Sequence, residues 1–395
     1  MRKARLSARP WRNAHKRFQV SGLTPHPSRL ASSLRFQHFS LSAFPFVPPL
    51  SVQTPCAHLK VSVAMLTYNH EKYIAQAIES VLMQEINFPI ELVIGEDCST
   101  DGTREIVKQF AARRPDIIRP ILHDQNIGMH RNGEAVGKVC RGEYIACLEG
   151  DDYWTAPDKL QKQVEFLDRR PDYSICGHRV MHIFEDRPEC TPSPSPVQKE
   201  SGTLEDILRW NYLPTCSVMY RAALGAERPA WFIGLSHGDW PRWALLAQRG
   251  RIGFINEVMA RYRVHSGGVW MGASVEARLA GLESTIKAIH KHLNKSHPGA
   301  RRAALFTLHL SGASQFYRQA HYAKTWTRLL RALASNPVAF AKSSEVRRLL
   351  SHEVRRCAVI KGLKCVKRNY YRARIWAGAE RRKFSGRARA LWKKA

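Results

Sequence analysis

The spacing of apolar and polar positions changes character twice along this chain, and the changes divide it. From Lys60, Val61, Val63 and Met65 alternate with Ser62 and Ala64 before a polar break at Thr67-Tyr68-Asn69-His70, the pattern of a buried strand that runs out into a loop. Ile74, Ile78, Val81 and Leu82 then share one helical face. A second strand is predicted over residues 90–94, followed by a helix carrying Ile106, Val107 and Phe110, with Thr100 or Asp101 placed to cap it. A third strand over residues 117–122 and a further helix lead to the apolar run Tyr144-Ile145-Ala146-Cys147-Leu148, which ends in Glu149-Gly150-Asp151-Asp152. Strands that alternate with helices of about 10–15 residues imply an α/β, doubly wound sheet with a parallel centre. In such sheets ligands bind in the loops at the carboxyl ends of the strands.

Downstream, a helix over residues 157–169 and a strand over residues 173–184 precede a stretch dense in Pro, Ser and Glu, residues 186–202, which reads as a surface excursion. Thr203 caps a short helix, residues 214–221 return to strand, and His237-Gly238-Asp239-Trp240-Pro241 opens another helix. Two short strands are predicted at residues 251–255 and 258–264, ending at His265. Beyond Ser274 the period is helical throughout, with breaks at Pro298-Gly299 and Asn336-Pro337. The expected organisation is a basic disordered leader at 1–58, an α/β domain at 59–270, a helical appendage at 271–350 and a basic amphipathic tail at 351–395.

Charge sharpens this division. The net charge of +29 is concentrated at the ends: residues 1–60 contain ten Lys and Arg with no acid, and residues 351–395 contain 15 against two. Tyr370, Tyr371 and Trp376 interleaved with Arg and Lys suit an anionic membrane surface. A nucleic-acid partner is the alternative that such charge suggests, and none is expected here. No apolar run is long enough to cross a bilayer. The nine cysteines form no C-x-x-C pair, so neither a disulfide framework nor a zinc site is assigned. G-x-G-x-x-G and the P-loop pattern are both missing from the sequence, which argues against dinucleotide-binding and P-loop enzymes.

The chemistry centres on Asp151 and Asp152. Two adjacent carboxylates on a strand-to-helix loop repel unless a cation or hydrogen-bond donors compensate, and a divalent metal is the natural compensator. Asp97 stands just past the second strand and is not needed for the following helix cap. Asp239 opens a helix, where it is either an N-cap or a general base.

Val61-Ser62-Val63 with Thr67-Tyr68-Asn69, Glu96-Asp97-Cys98-Ser99-Thr100-Asp101-Gly102-Thr103, Asn126-Ile127-Gly128, Asp151-Asp152, Gly238-Asp239-Trp240 and Tyr262-Arg263-Val264-His265 follow one another in this order. Together they resemble the family 2 glycosyltransferases of GT-A fold, over about residues 60–270. The resemblance implies a mixed doubly wound sheet, a nucleotide-diphosphate sugar donor (UDP-sugar or dTDP-sugar), a divalent metal (Mn2+ or Mg2+), and inverting transfer to a hydroxyl of a glycan or lipid-linked acceptor. It assigns donor contacts to Thr67, Tyr68, Asn69, Asp97, Arg131 and Asp151, with Asp97 accepting from the base and Tyr68 packing on it. Metal ligation falls to Asp151 and Asp152, the general base to Asp239, and contact with diphosphate or metal to Arg263 and His265. Two departures stand out: Glu149 replaces the first acid of the D-x-D-D pattern, and Gly238 replaces the acid usual before Asp239. A non-catalytic protein that binds nucleotide sugars is the competing reading.

Overall fold

The structure is a computed structural model, which describes residues 58–186, 190–194, 198–225, 229–268, 272–293 and 295–360, with side chains to residue 353. The leader at 1–57 and the apolar spacing of the tail beyond 360 lie outside the described residues.

Strands β1 (Val61–Thr67), β2 (Ile90–Glu96), β3 (Ile118–Leu122) and β4 (Tyr144–Glu149) alternate with helices α1 (Ile74–Leu82), α2 (Thr103–Arg113) and α3 (Met129–Val139). Then come β5 (Tyr153–Trp154), α4 (Lys159–Asp168), β6 (Tyr173–Phe184), β7 (Cys190–Ser193), β8 (Ser201–Gly202), α5 (Leu204–Arg209), β9 (Met219–Arg221), α6 (Ala222–Gly225), α7 (Asp239–Ala247) and β10 (Arg251–Val264). Five helices close the described chain: α8 (Val275–His292), α9 (Pro298–Arg318), α10 (Tyr322–Ser335), α11 (Pro337–Lys342) and α12 (Ser344–Ile360).

The described strands form one mixed sheet in the order β3-β2-β1-β4-β9-β6-β10-β5, with β7 on β6 and β8 on β10. β3, β2, β1 and β4 are mutually parallel. β9 runs antiparallel to both β4 and β6, and β10 is parallel to β6. It follows that β1, β2, β4, β6 and β10 all point their carboxyl ends to the same edge. The loops after Thr67, Glu96, Glu149 and Val264 therefore meet there, as the alternation of strand and helix implies.

One face of the sheet packs Val63, Met65 and Leu148 against α1, α2 and α4 through Ile78, Val107 and Leu160. The other packs Ile145, Ile175 and Phe254 against α5, α7, α8 and α9 through Ile207, Trp243, Ile286 and Phe316. Thus α8 and α9, expected as an appendage, share a core with the sheet. Outside them, Leu329 of α10 and Leu349 of α12 pack on Ala313 of α9. The expected boundary at 350 falls inside α12, which continues to Ile360.

Two local expectations differ from the structure. The strands predicted at 251–255 and 258–264 are one strand, β10, whose register on β6 shifts between Ile255 and Val258. A β-bulge, which accommodates extra residues without ending the pairing, accounts for the polar break that split the pattern. Residues 214–221 are only partly strand, because residues Thr215–Ser217 form a 3-10 turn before β9.

Candidate functional site

The loops after β1 and β2 are laced together by side chains bonded to backbone. Asn69 holds a left-handed conformation (φ 55°), accepts from Thr100 N at its Oδ1 (2.8 Å), and donates its own N–H to Ser99 Oγ (3.0 Å). His70 N donates to Thr103 Oγ1 (2.8 Å), and Glu71 N donates to Asp101 Oδ2 (3.1 Å). Asp101 ties the two loops together rather than simply capping α2. Thr67 is buried, with Oγ1 3.3 Å from His70 Nδ1.

Asp97 is buried, and its two oxygens accept from Ile127 N (2.8 Å) and Gly128 N (2.9 Å). Its carboxylate thereby fastens the 126–128 loop to the end of β2. The Tyr68 ring is exposed at the rim and free to pack on a flat ligand. Arg131 is exposed in the first turn of α3.

Between these loops and the end of β10 sits the acid loop. Gly150 is required by close approach: a Cβ there would lie 2.7 Å from Thr67 Oγ1 and 2.9 Å from His70 Nδ1. Asp152 is buried and accepts from Arg263 N at its Oδ1 (2.8 Å). Burial, and then the charge of Asp151, hold its carboxyl well above the usual range. Asp151 behaves oppositely. Burial opposes its ionisation, but a hydrogen bond from His265 and the nearby charges of His70 and His265 outweigh that and lower its pKa. Its Oδ2 lies 3.1 Å from His265 Nε2 and 3.7 Å from His70 Nε2. Arg263 braces the loop by donating from Nη1 to the Asp151 carbonyl (2.5 Å) and from Nη2 to Gln76, with its guanidinium over the Tyr73 and Tyr153 rings.

Asp152 is bonded to backbone inside the molecule, and Asp151 is the carboxylate that faces imidazoles. The Asp151 carboxylate is the ligand type that Mn2+ or Mg2+ takes, and an imidazole beside it would fit Mn2+ better than the oxygen-preferring Mg2+. Among the described residues no group of three or more His, Cys, Asp or Glu converges as a ready-made metal cage.

Glu149 is half-buried at the end of β4, and its Oε2, shielded from solvent, has no hydrogen-bond partner among the described residues. Burial raises its pKa well above the ordinary value, and the charges of Asp152, Asp151 and Asp239 raise it further. Asp239 therefore stands in the same field of charge as the acid loop. It is the first residue of α7, after Gly238, and does not cap the helix. Its Oδ2 instead accepts from Asn211 Nδ2 (2.8 Å). Gly238 has a spatial reason too, since a Cβ there would come 3.1 Å from the His130 ring.

Arg263, His265, Asp151 and Asp152 are thus brought into direct contact. Thr67 joins them through His70, whereas Asn69 and Asp97 serve the loops. The pattern of residue types did not single out His70, Gln76 or Asn211. His70 follows directly on Thr67-Tyr68-Asn69 and was reachable by position, whereas nothing in the sequence marks Asn211.

Residues 62–225 match the family described as Glycosyl transferase family 2. An uncharacterized protein of Mycobacterium tuberculosis is 37% identical over 243 residues, covering 59% of this chain and 69% of that protein. The putative teichuronic acid biosynthesis glycosyltransferase TuaG of Bacillus subtilis is 30% identical over 207 residues, covering 52% of this chain and 79% of that one. Among solved structures, the mannosyltransferase PcManGT of Pyrobaculum calidifontis, in complex with GDP-Man and Mn2+, superposes with a TM-score of 0.50 at 18% identity, covering 85% of this chain and 88% of that one. The matched segment spans β1 to α6 and carries the acid loop at the end of β4. The fold, the order of motifs and the extent of the match to TuaG agree: this chain belongs to glycosyl transferase family 2 and is a glycosyltransferase.

Proposed function

We propose that the chain transfers a sugar, with inversion, from a nucleotide-diphosphate sugar to an acceptor hydroxyl, assisted by Mn2+ or Mg2+. The observation that carries this reading is the meeting of the acid loop with the end of β10, where Asp151 Oδ2 lies 3.1 Å from His265 Nε2 and Arg263 bonds the Asp151 carbonyl, with the charge of Asp239 also felt at Glu149 in the same loop. Asp151 and His265 are the residues that would hold the ion. When bound, the ion neutralises charge on the leaving diphosphate. The protein supplies the rest. Tyr68 offers a ring to the base, and Asp97 fixes the loop beside it. Arg263 keeps the acid loop in place. Asp239 takes the proton of the acceptor hydroxyl as that oxygen bonds to the anomeric carbon and the bond to the diphosphate breaks.

The acceptor in this reading is a lipid-linked or surface glycan. The name of TuaG supports it, as does the basic tail, which suits attachment to an anionic membrane surface. No helix among the described residues is long and apolar enough to cross a membrane, so the contact proposed is peripheral.

Incubation with UDP-glucose, UDP-N-acetylglucosamine, dTDP-glucose and GDP-mannose, each with Mn2+ and with EDTA, tests the donor and metal together. Nucleoside diphosphate should be released from at least one donor, only with metal, and Asp151→Asn should lose at least about a hundredfold of that rate. Undiminished release in EDTA would remove the metal from the mechanism.

A further inference from the structure

Resting on the assignment of Asp239 as the base, we propose that Asn211 is the residue that positions it and selects which of its oxygens takes the proton. The orientation of the Asn211 amide is fixed by its neighbours. Its Oδ1 accepts from Leu213 N (3.2 Å), which leaves the NH2 group to face Asp239 Oδ2 at 2.8 Å. An amide placed the other way round would set its oxygen against the carboxylate and its NH2 against a backbone N–H. The segment bearing Asn211 is in turn held to the helix that begins with Asp239. Trp243 Nε1 donates to the Leu213 carbonyl (3.2 Å), and Trp240 Nε1 donates to the Ile207 carbonyl (2.7 Å). Asp239 and Trp243 are one helical turn apart, so α7 is bonded to residues 211–213 at both levels of the same face.

Asp239 Oδ2 is thereby engaged, and Oδ1 is the oxygen presented to the acceptor. The arrangement does for a carboxylate what an orienting partner does for a catalytic imidazole: it removes rotation about the side chain, and small misplacements of a reacting group are costly to rate. The charged groups that bear on Asp239 are Glu149 at the end of β4 and His237 in the preceding loop, with His130 of α3 bearing on His237. The Asn211 amide differs from these in being a neutral donor with a fixed aim.

Asn211→Asp is the discriminating variant. It keeps the oxygen that accepts from Leu213 N and replaces the donor with a second carboxylate, so the local turn is conserved while the positioning bond is lost. Release of nucleoside diphosphate from the best donor among UDP-glucose, UDP-N-acetylglucosamine and GDP-mannose is measured against pH, beside calorimetric binding of UDP and thermal unfolding. The expectation is a kcat lowered roughly 10- to 100-fold, with UDP binding unchanged and the acidic limb of the pH profile moved up by about one unit or more. Asn211→Ser, which retains a shorter donor, should recover part of the rate. In an Asp239→Asn background, Asn211→Asp should have no further effect, because the residue acts through Asp239. An Asp239→Asn protein that transfers at the wild-type rate overturns the base and this inference with it. An inactive Asp239→Asn protein beside an Asn211→Asp protein with wild-type kcat and pH profile leaves the base standing and overturns the inference alone. An Asn211→Asp protein that only loses melting temperature does the same.

Discussion

Lys159 illustrates how far this site's surroundings depart from ordinary protein interior. Its side chain is wholly buried, with Nζ 3.6 Å from the centroid of the Trp154 ring and no hydrogen-bond partner among the described residues. Burial lowers its pKa from 10.5 to about 7, while the face of the indole, worth ~2 kcal/mol to a desolvated cation, pulls the other way. Between about pH 7 and 10.5 the unfolded chain holds a proton that the folded chain has released, so stability rises with pH across that window and the cost of the buried ammonium is complete below it. Lys159→Met should therefore stabilise the fold, by on the order of 3 kcal/mol at pH 6, with the gain shrinking toward pH 10. Urea unfolding of both proteins at pH 6, 8 and 10 measures this, and a difference independent of pH would count against it. At the same scale, Gly238 shows why the family pattern breaks where it does. The His130 ring fills the space that an acidic side chain would need, and its Nε2 lies 2.7 Å from the Leu235 carbonyl.

Elements were legible to the extent that their periodicity was strong. β1 follows from alternation, β4 from a continuous apolar run, and α1 and α2 from apolar helical faces, and the Thr203 cap is present with its reciprocal bond to Asp206. Edge pieces were not legible. β7 and β8 are short and lie within a Pro- and Ser-rich stretch, and they pair because the long strands β6 and β10 leave backbone groups open beside them. The site was legible as a list of residue types but not as a set of contacts, since the bonding of Asp97 to Ile127 N and the burial of Asp152 depend on how loops from different strands close over one another. The close contact between the β1 and β4 ends supplies an element-scale prediction. Gly150→Ala should force the acid loop away from Thr67 and His70, costing about 1–3 kcal/mol in stability and weakening Mn2+-dependent UDP binding at least tenfold by calorimetry. Normal UDP affinity together with normal melting would show that the loop accommodates the methyl group.

At the scale of the whole molecule, positive charge is concentrated beyond the described residues: 361–395 hold 13 Lys and Arg against one acid. Each such residue near an anionic surface contributes on the order of 1 kcal/mol, so a third of them suffice for reversible attachment. The intact chain should sediment with vesicles containing anionic lipid at low salt and be released as salt rises, and a chain lacking 361–395 should stay in solution. Equal partitioning of the two would end the membrane proposal. The sheet, meanwhile, joins its remote edge to its chemistry through one strand. β10 pairs with Ser201 and Gly202 near its start and delivers Arg263 and then His265 at its finish, so the facing of the last residues is inherited from the first through the irregular register at Ile255 and Val258. Strands have a side-chain frame of two, and past the bulge β10 pairs with β6 residue for residue from Ala260 to Val264, so losing Arg261 or Tyr262 would be a frameshift in space: every later side chain would change faces, and the guanidinium and imidazole would turn from the acid loop to the opposite side of the sheet. Natural variation in length therefore belongs in the 186–200 excursion or at the bulge, while the last stretch of β10 behaves as a ruler on which not even one graduation can be removed.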